Sequence, residues 1–269
     1  MRESGLREAI RAAGGVRALA QKIGISQPSV SNWTRVPAER VSAVEAVTGV
    51  SRAILRPDLF APSTEPTAVV DETDAARAQE YGLLAVLLAR TPDARLLRRL
   101  GELRRDASPL GVAHAALAEA AATARVEKVE REFFNLFIGI GRGELLPYGS
   151  YYLTGFLHER PLARLREFLA KIGVERVEGQ TEPEDHAALL CEIMAGLANR
   201  RLDAPAGAER ELFAKHIAPW MGRFFLDLER AREAEFYRRV GMLGRVFLEI
   251  ESEAFALAAQ EAQRRDSHA

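Results

Sequence analysis

Residues 130–173, EREFFNLFIGIGRGELLPYGSYYLTGFLHERPLARLREFLAKIG, decide how this chain folds. Val129, Phe133, Phe134 and Phe137 recur at helical spacing, so the run from Val126 through Phe137 reads as an amphipathic helix ending near Gly139. Gly139, Gly141 and Gly143 then form a mobile turn, and Pro147 precedes a new helix that Ser150 is placed to open. The GxGxG string invites a phosphate-loop reading. No strand precedes the glycines, and neither a Gly-Lys-Ser/Thr nor a suitably spaced ribose-binding acid follows, so that reading is rejected.

The same periodicity extends in both directions. AQEYGLLAVLLAR carries Tyr81, Leu84 and Leu88 on one face, DARLLRRLGELRRD repeats the spacing, and the last helix, from about Tyr237 to Arg264, has an apolar side running through Val240, Leu243, Phe247, Ile250 and Leu257. Alternating strand-like runs are missing, so the expected fold is all-α. APSTEPTAVVDET, residues 61–73, lacks helical periodicity and reads as a linker between residues 1–60 and a body of residues 74–269.

At 269 residues and 48% hydrophobic content the chain can bury a substantial core. No window reaches the roughly 18 apolar residues of a membrane span, and no apolar signal core follows the N-terminus, so a cytoplasmic protein without membrane insertion is expected. Cys191 is the only cysteine, which excludes an intramolecular disulfide and any cysteine-based metal site within one chain. The five histidines are widely spaced and form no metal motif, and no serine nucleophile elbow occurs, so neither an enzyme nor a resident cofactor is expected. The net charge of −1 hides an asymmetry: residues 1–60 hold nine Lys/Arg against five Asp/Glu, the remainder 28 against 33.

That basic quarter contains VRALAQKIGISQPSVSNW, Val16 to Trp33. Leu19, Ile23, Ile25, Val30 and Trp33 sit at core spacings across two short helices, with Ala20 small at their crossing and Gly24 in the turn. Ser26 is a natural N-cap for the second helix, and Pro28 lies in its first turn. The pattern resembles the Cro/YdaS-like helix-turn-helix family over about residues 6–60. The resemblance implies that Gln27, Ser29, Ser31 and Asn32 face base edges while Lys22 and Arg35 lie near phosphates. Specific binding would require a homodimer spanning two half-sites, and a helix-turn-helix that serves only folding or protein contact is the alternative.

In the body, the aromatic-x-x-Leu-Phe of Phe133, Leu136 and Phe137, the Gly139/Gly141 turn, then Pro147, Tyr148, Ser150 and Tyr152 are followed by Glu182, Pro183, Asp185 and His186. These motifs resemble the TorD/DmsD/NarJ family of molybdoenzyme maturation chaperones, across roughly residues 75–260. The resemblance implies a cytoplasmic chaperone that binds the N-terminal, often twin-arginine, leader of a molybdopterin-containing oxidoreductase subunit and holds it until cofactor is inserted. A formate dehydrogenase or a dimethyl sulfoxide reductase-type enzyme is the implied client. A basic leader with an apolar segment needs carboxylates at one end of a groove and apolar walls along it. Glu184 and Asp185 are candidates for the first role, with Ser150 and His186 beside them, and Tyr148, Tyr152 and Phe156 for the second. Gly139, Gly141 and Pro147 belong to the expected hinge loop.

Each of these residues also has a plainer reading. Tyr152 and Phe156 suit the core of one helix, and Ser150 suits an N-cap. In EGQTEPEDHAALLCEIM, residues 178–194, Thr181 and Glu184 form a capping box with Glu182 and Pro183 in the first turn. His186 shares the core stripe of Leu189, Leu190, Ile193 and Leu197, half-buried and bonded to a neighbouring loop. Asp185 is left over by that accounting. The alternative function is a transcription regulator whose helical body senses a peptide or ligand.

Overall fold

The computed structural model describes residues 3–56, 71–103, 105–174 and 182–266, so nearly all of the expected linker lies outside the described residues. The chain divides into two compact units, Met1–Val69 and Val70–Ala269. Both are helical, with no strand among the described residues.

The first unit comprises α1 (Ser4–Ala13), α2 (Val16–Lys22), α3 (Gln27–Ser31), α4 (Val41–Thr48) and α5 (Arg52–Leu55). Leu6, Ala9, Leu19, Ala20, Val30, Val44 and Leu55 are buried in its core, and Ile23, Ile25 and Trp33 pack at its edge. Gly24 turns the chain at φ 69°, and the Ser26 hydroxyl accepts from the Ser29 N–H as the cap of α3, with Pro28 in its first turn. This unit therefore forms the helix-turn-helix expected of Val16 to Trp33.

In the second unit α6 (Glu72–Ala89) packs along α12 (Ala187–Ala198). Asp71 caps α6, so residues 71–73, assigned to the linker from composition, instead open the helix. Ten of the twelve residues of α12 are buried, as expected of a helix that is apolar all round and lies at the centre of a bundle. Around them run α7 (Ala94–Gly101), α8 (Pro109–Thr123), α9 (Val126–Phe133), α10 (Gly149–Thr154), α11 (Arg160–Lys171), α13 (Ala208–Leu212), α14 (Met221–Arg230) and α15 (Tyr237–Asp266). The helices α9 and α13 each continue into a π-helical turn, Phe134–Ile138 and Phe213–Ile217.

Two buried carboxylates join distant elements. Glu251 on α15, 1% exposed, accepts from Arg77 Nε and Nη2 at 2.7 Å each and from the Tyr81 hydroxyl at 2.9 Å. Glu132 on α9 accepts from the backbone N–H groups of Glu235, Phe236 and Tyr237, capping α15 from another helix. Burial raises the Glu132 carboxyl above its usual range, against the pull of those three amides. Cys191 on α12 is fully buried, 3.9 Å from the Met221 sulfur, and burial pushes its thiol up to about 12. It is a core residue.

Candidate functional site

The segments on either side of α10 and α12 meet through main chain. Tyr148 and His186 form an isolated antiparallel bridge, flanked by the Gly149 N–H donating to the Asp185 carbonyl at 2.9 Å and the Ala187 N–H donating to the Pro147 carbonyl at 2.8 Å. This junction brings Pro147, Tyr148, Ser150, Tyr152, Glu184, Asp185 and His186 together.

Asp185 is 3% exposed. Its Oδ2 accepts from the Ser150 N–H at 2.6 Å and so caps α10 from another segment, while its Oδ1 is buried and has no hydrogen-bond partner among the described residues. Asp185 lines a cleft of about 350 Å³ with Leu153, Phe168, His216 and Trp220. Arg164, Lys171 and Lys215 contribute cationic groups to its lining, and Glu167 and Glu211 acidic ones. A side chain at Gly149 would press on the Trp220 ring at 3.0–3.2 Å, so glycine there lets α10 lie against the indole.

The other acids are engaged. Glu184, 8% exposed, accepts from Arg166 Nε at 3.0 Å and Nη2 at 2.8 Å, and the Tyr148 hydroxyl donates to Glu182. Burial first, then Glu182, raises the Tyr148 phenol above its ordinary value. His186 lies edge-on to the Tyr148 ring at 5.1 Å, and its Nδ1 accepts from the Ala188 N–H at 3.1 Å. Burial pulls its pKa below 6.5 despite Glu182 and Asp185 nearby. Tyr152 is half-buried against Trp220 and Phe224 and donates to Asp227 at 3.1 Å.

Several expectations change. Thr181 lies outside the described residues, and the helix expected to start there begins at Ala187 with His186 as its cap. Glu182, Pro183 and Glu184 are therefore in the connecting segment, and His186 precedes the core stripe instead of sharing it. Ser150 is fully buried in the first turn of α10, where Tyr148 holds the cap position, so it neither caps α10 nor reaches the surface. Phe156 is not in the same helix as Tyr152: α10 stops at Thr154, and Phe156 is 69% exposed beyond it. Gly139 and Gly141 both adopt left-handed φ, 63° and 87°, and the turn folds back so that the Leu145 N–H reaches the Leu136 carbonyl. Trp220, Phe168 and Arg166 escaped the sequence reading. Trp220, one of only two tryptophans, offered a signal.

In the first unit Lys22, Gln27, Ser29, Ser31, Asn32 and Arg35 are all exposed. The Ser29 hydroxyl is shared with the cap, 2.7 Å from that of Ser26. Among the described residues no group of three or more His, Cys, Asp or Glu could hold a metal, and no helix is long and apolar enough to cross a membrane.

Residues 103–226 match the family described as nitrate reductase delta subunit. A chaperone protein TorD from Vibrio cholerae serotype O1 is 30% identical over 102 residues, 35% of this chain and 46% of that protein. The body is similar to the TorD and DmsD chaperones. A second relative, "Probable Tat proofreading chaperone DmsD" from Haemophilus influenzae, is 30% identical over 128 residues, 45% of this chain and 61% of that protein. The chain thus matches about half the length of these TorD and DmsD relatives. A solved chain described as a redox enzyme maturation protein from Archaeoglobus fulgidus aligns with a TM-score of 0.43 at 22% identity, covering 64% of this chain and 93% of that one. Residues 6–64 match the family described as bacterial toxin YdaS, in keeping with the helix-turn-helix of the first unit.

Proposed function

We propose that the body is a chaperone, not a catalyst, that binds the N-terminal leader of a molybdopterin oxidoreductase subunit and assists cofactor insertion before export. Asp185 carries this reading: one carboxylate oxygen holds α10, and the other has no partner among the described residues, beside a cleft walled by Leu153, Phe168 and Trp220. A buried carboxylate oxygen without a donor calls for one, and a leader arginine supplies several on an apolar stem. Glu184 does not serve this role while paired with Arg166. Tyr148 and the exposed Phe156 remain candidates for the apolar stretch of the leader, and the loop through Gly139, Gly141 and Pro147 for the hinge.

The test is calorimetric titration of the full chain with a synthetic leader peptide carrying paired arginines, and with the same peptide carrying glutamines there. Asp185→Asn is expected to weaken the arginine peptide about 10- to 100-fold, the range of a charge-assisted hydrogen bond. Equal affinity of the two peptides for the wild type would remove Asp185 from the binding site.

The exposed polar face of α3 favours a second role for the first unit, contact with DNA through Gln27, Ser29, Ser31 and Asn32, with Lys22 and Arg35 at phosphates. A mobility shift with genomic fragments at about 150 mM salt, lost in Asn32→Ala, is the expected outcome. Sequence-specific DNA binding in a chain that captures no oxidoreductase subunit would favour the regulator.

A further inference from the structure

Away from the Asp185 cleft, α6 and α7 enclose a groove of about 810 Å³. Its floor is apolar, made by Leu83, Val86, Leu96, Leu100 and Leu103. Glu80 and Asp93 line it too: Glu80 Oε1 lies 2.6 Å from His114 Nε2 while its Oε2 has no hydrogen-bond partner among the described residues, and Asp93 accepts from the Leu96 N–H at 2.7 Å as the cap of α7. Arg90, Arg95 and Arg99 line the groove as well, all exposed and with no ion pair among the described residues. Arg95 and Arg99 are one helical turn apart, so both project from one side of α7. The groove therefore combines an apolar floor with three arginines that outnumber its two carboxylates.

The complementary surface is on the same chain. Glu251 and Phe255 hold α15 to the body through Arg77. Ile250, Ala254, Leu257 and Glu261 fall together on a neighbouring flank of that helix, about 60–120° round from Glu251 by its 3.6-residue period. Ile250 is 39% and Leu257 60% exposed, and Glu253 and Glu261 are exposed with no ion pair among the described residues. One turn before Leu257 stands Glu253, and one turn after it Glu261. An apolar side chain flanked by two acids matches leucines rimmed by arginines.

We propose that the end of α15 from a second copy of this chain occupies the α6–α7 groove. Leu257 seats on the leucine floor while Glu253 and Glu261 pair with the arginine rim. Glu251 lies beside Arg77, near the start of α6, whereas the groove lies toward the end of that helix. The tail therefore leads away from its own groove. In a two-fold dimer each tail fills the other's groove, so the contact forms twice and closes. This surface is separate from the leader cleft, and neither depends on the other.

Sedimentation velocity of the full chain across the micromolar range tests it. The wild type is expected to dimerise, more weakly as salt screens the pairs. Arg95→Glu with Arg99→Glu, and separately Leu257→Asp, should each weaken the dimer about tenfold or more, with melting of the dissociated chain unchanged because all three positions are exposed. Adding Glu253→Lys and Glu261→Lys to the double arginine variant should restore it. A monomeric wild type, a dimer indifferent to these changes, or a failed charge reversal overturns the proposal, and a monomer would leave the groove to a different protein's acidic helix.

Discussion

Glu251 and Asp185 are both almost fully buried carboxylates, yet they are finished differently. Both oxygens of Glu251 are taken, by Arg77 and Tyr81, and the cluster holds α6 to α15. Asp185 gives one oxygen to the Ser150 amide and leaves the other without a partner among the described residues, beside a cleft. A buried charge that is fully satisfied serves the fold, whereas one left half-satisfied keeps bonding capacity for something that arrives later.

The comparison can be broken most severely on the structural side. Arg77→Met strands Glu251 and is expected to cost about 3–5 kcal/mol in urea unfolding, the usual penalty for removing one partner of a buried pair. A loss below about 1 kcal/mol would mean that the cluster does not hold the helices together. At Asp185 two variants separate cap from charge. Asp185→Ala leaves the Ser150 amide unpaired and should cost about 1–3 kcal/mol. Asp185→Asn keeps an acceptor there and should stay within about 1 kcal/mol of wild type while losing leader affinity.

Acidification sharpens the contrast further. Because burial holds the His186 pKa below 6.5, the unfolded chain takes up that proton before the folded one does. Its contribution to stability is therefore complete above pH 6.5 and lost as pH falls through the folded value. His216, also depressed by burial, acts in the same direction. His186→Asn, which retains a capping side chain, should flatten part of the acid limb in unfolding curves taken across that range. An unchanged limb would assign the pH dependence elsewhere. The smallest effect belongs to Arg166→Gln: with Arg166 48% exposed, its pair with Glu184 should contribute no more than about 1 kcal/mol in the same unfolding assay.

What the sequence made legible was what neighbours in the chain decide. Gly24, Ser26 and Pro28 act within one turn of themselves, so the helix-turn-helix could be read from its spelling. The all-helical body followed from apolar period alone. The start of α12 was misread because its cap and its acids are assigned by partners far along the chain: Asp185 serves Ser150, 35 positions away, and Glu184 serves Arg166, 18 away. No local pattern announces those pairings. The cap of α15 by Glu132 was missed for the same reason, its donors lying 103 to 105 positions away.

The bridge between Tyr148 and His186 is built from amides and carbonyls that every residue except proline provides in full. Its frame is thus largely indifferent to which side chains it carries. Under the proposed function, such a junction is an evolvable mount: exchanging the side chains at Tyr148, Tyr152 or Phe156 can redirect the chain toward a new leader without first redesigning the scaffold, and a library randomised at those positions should yield many folded proteins of differing taste.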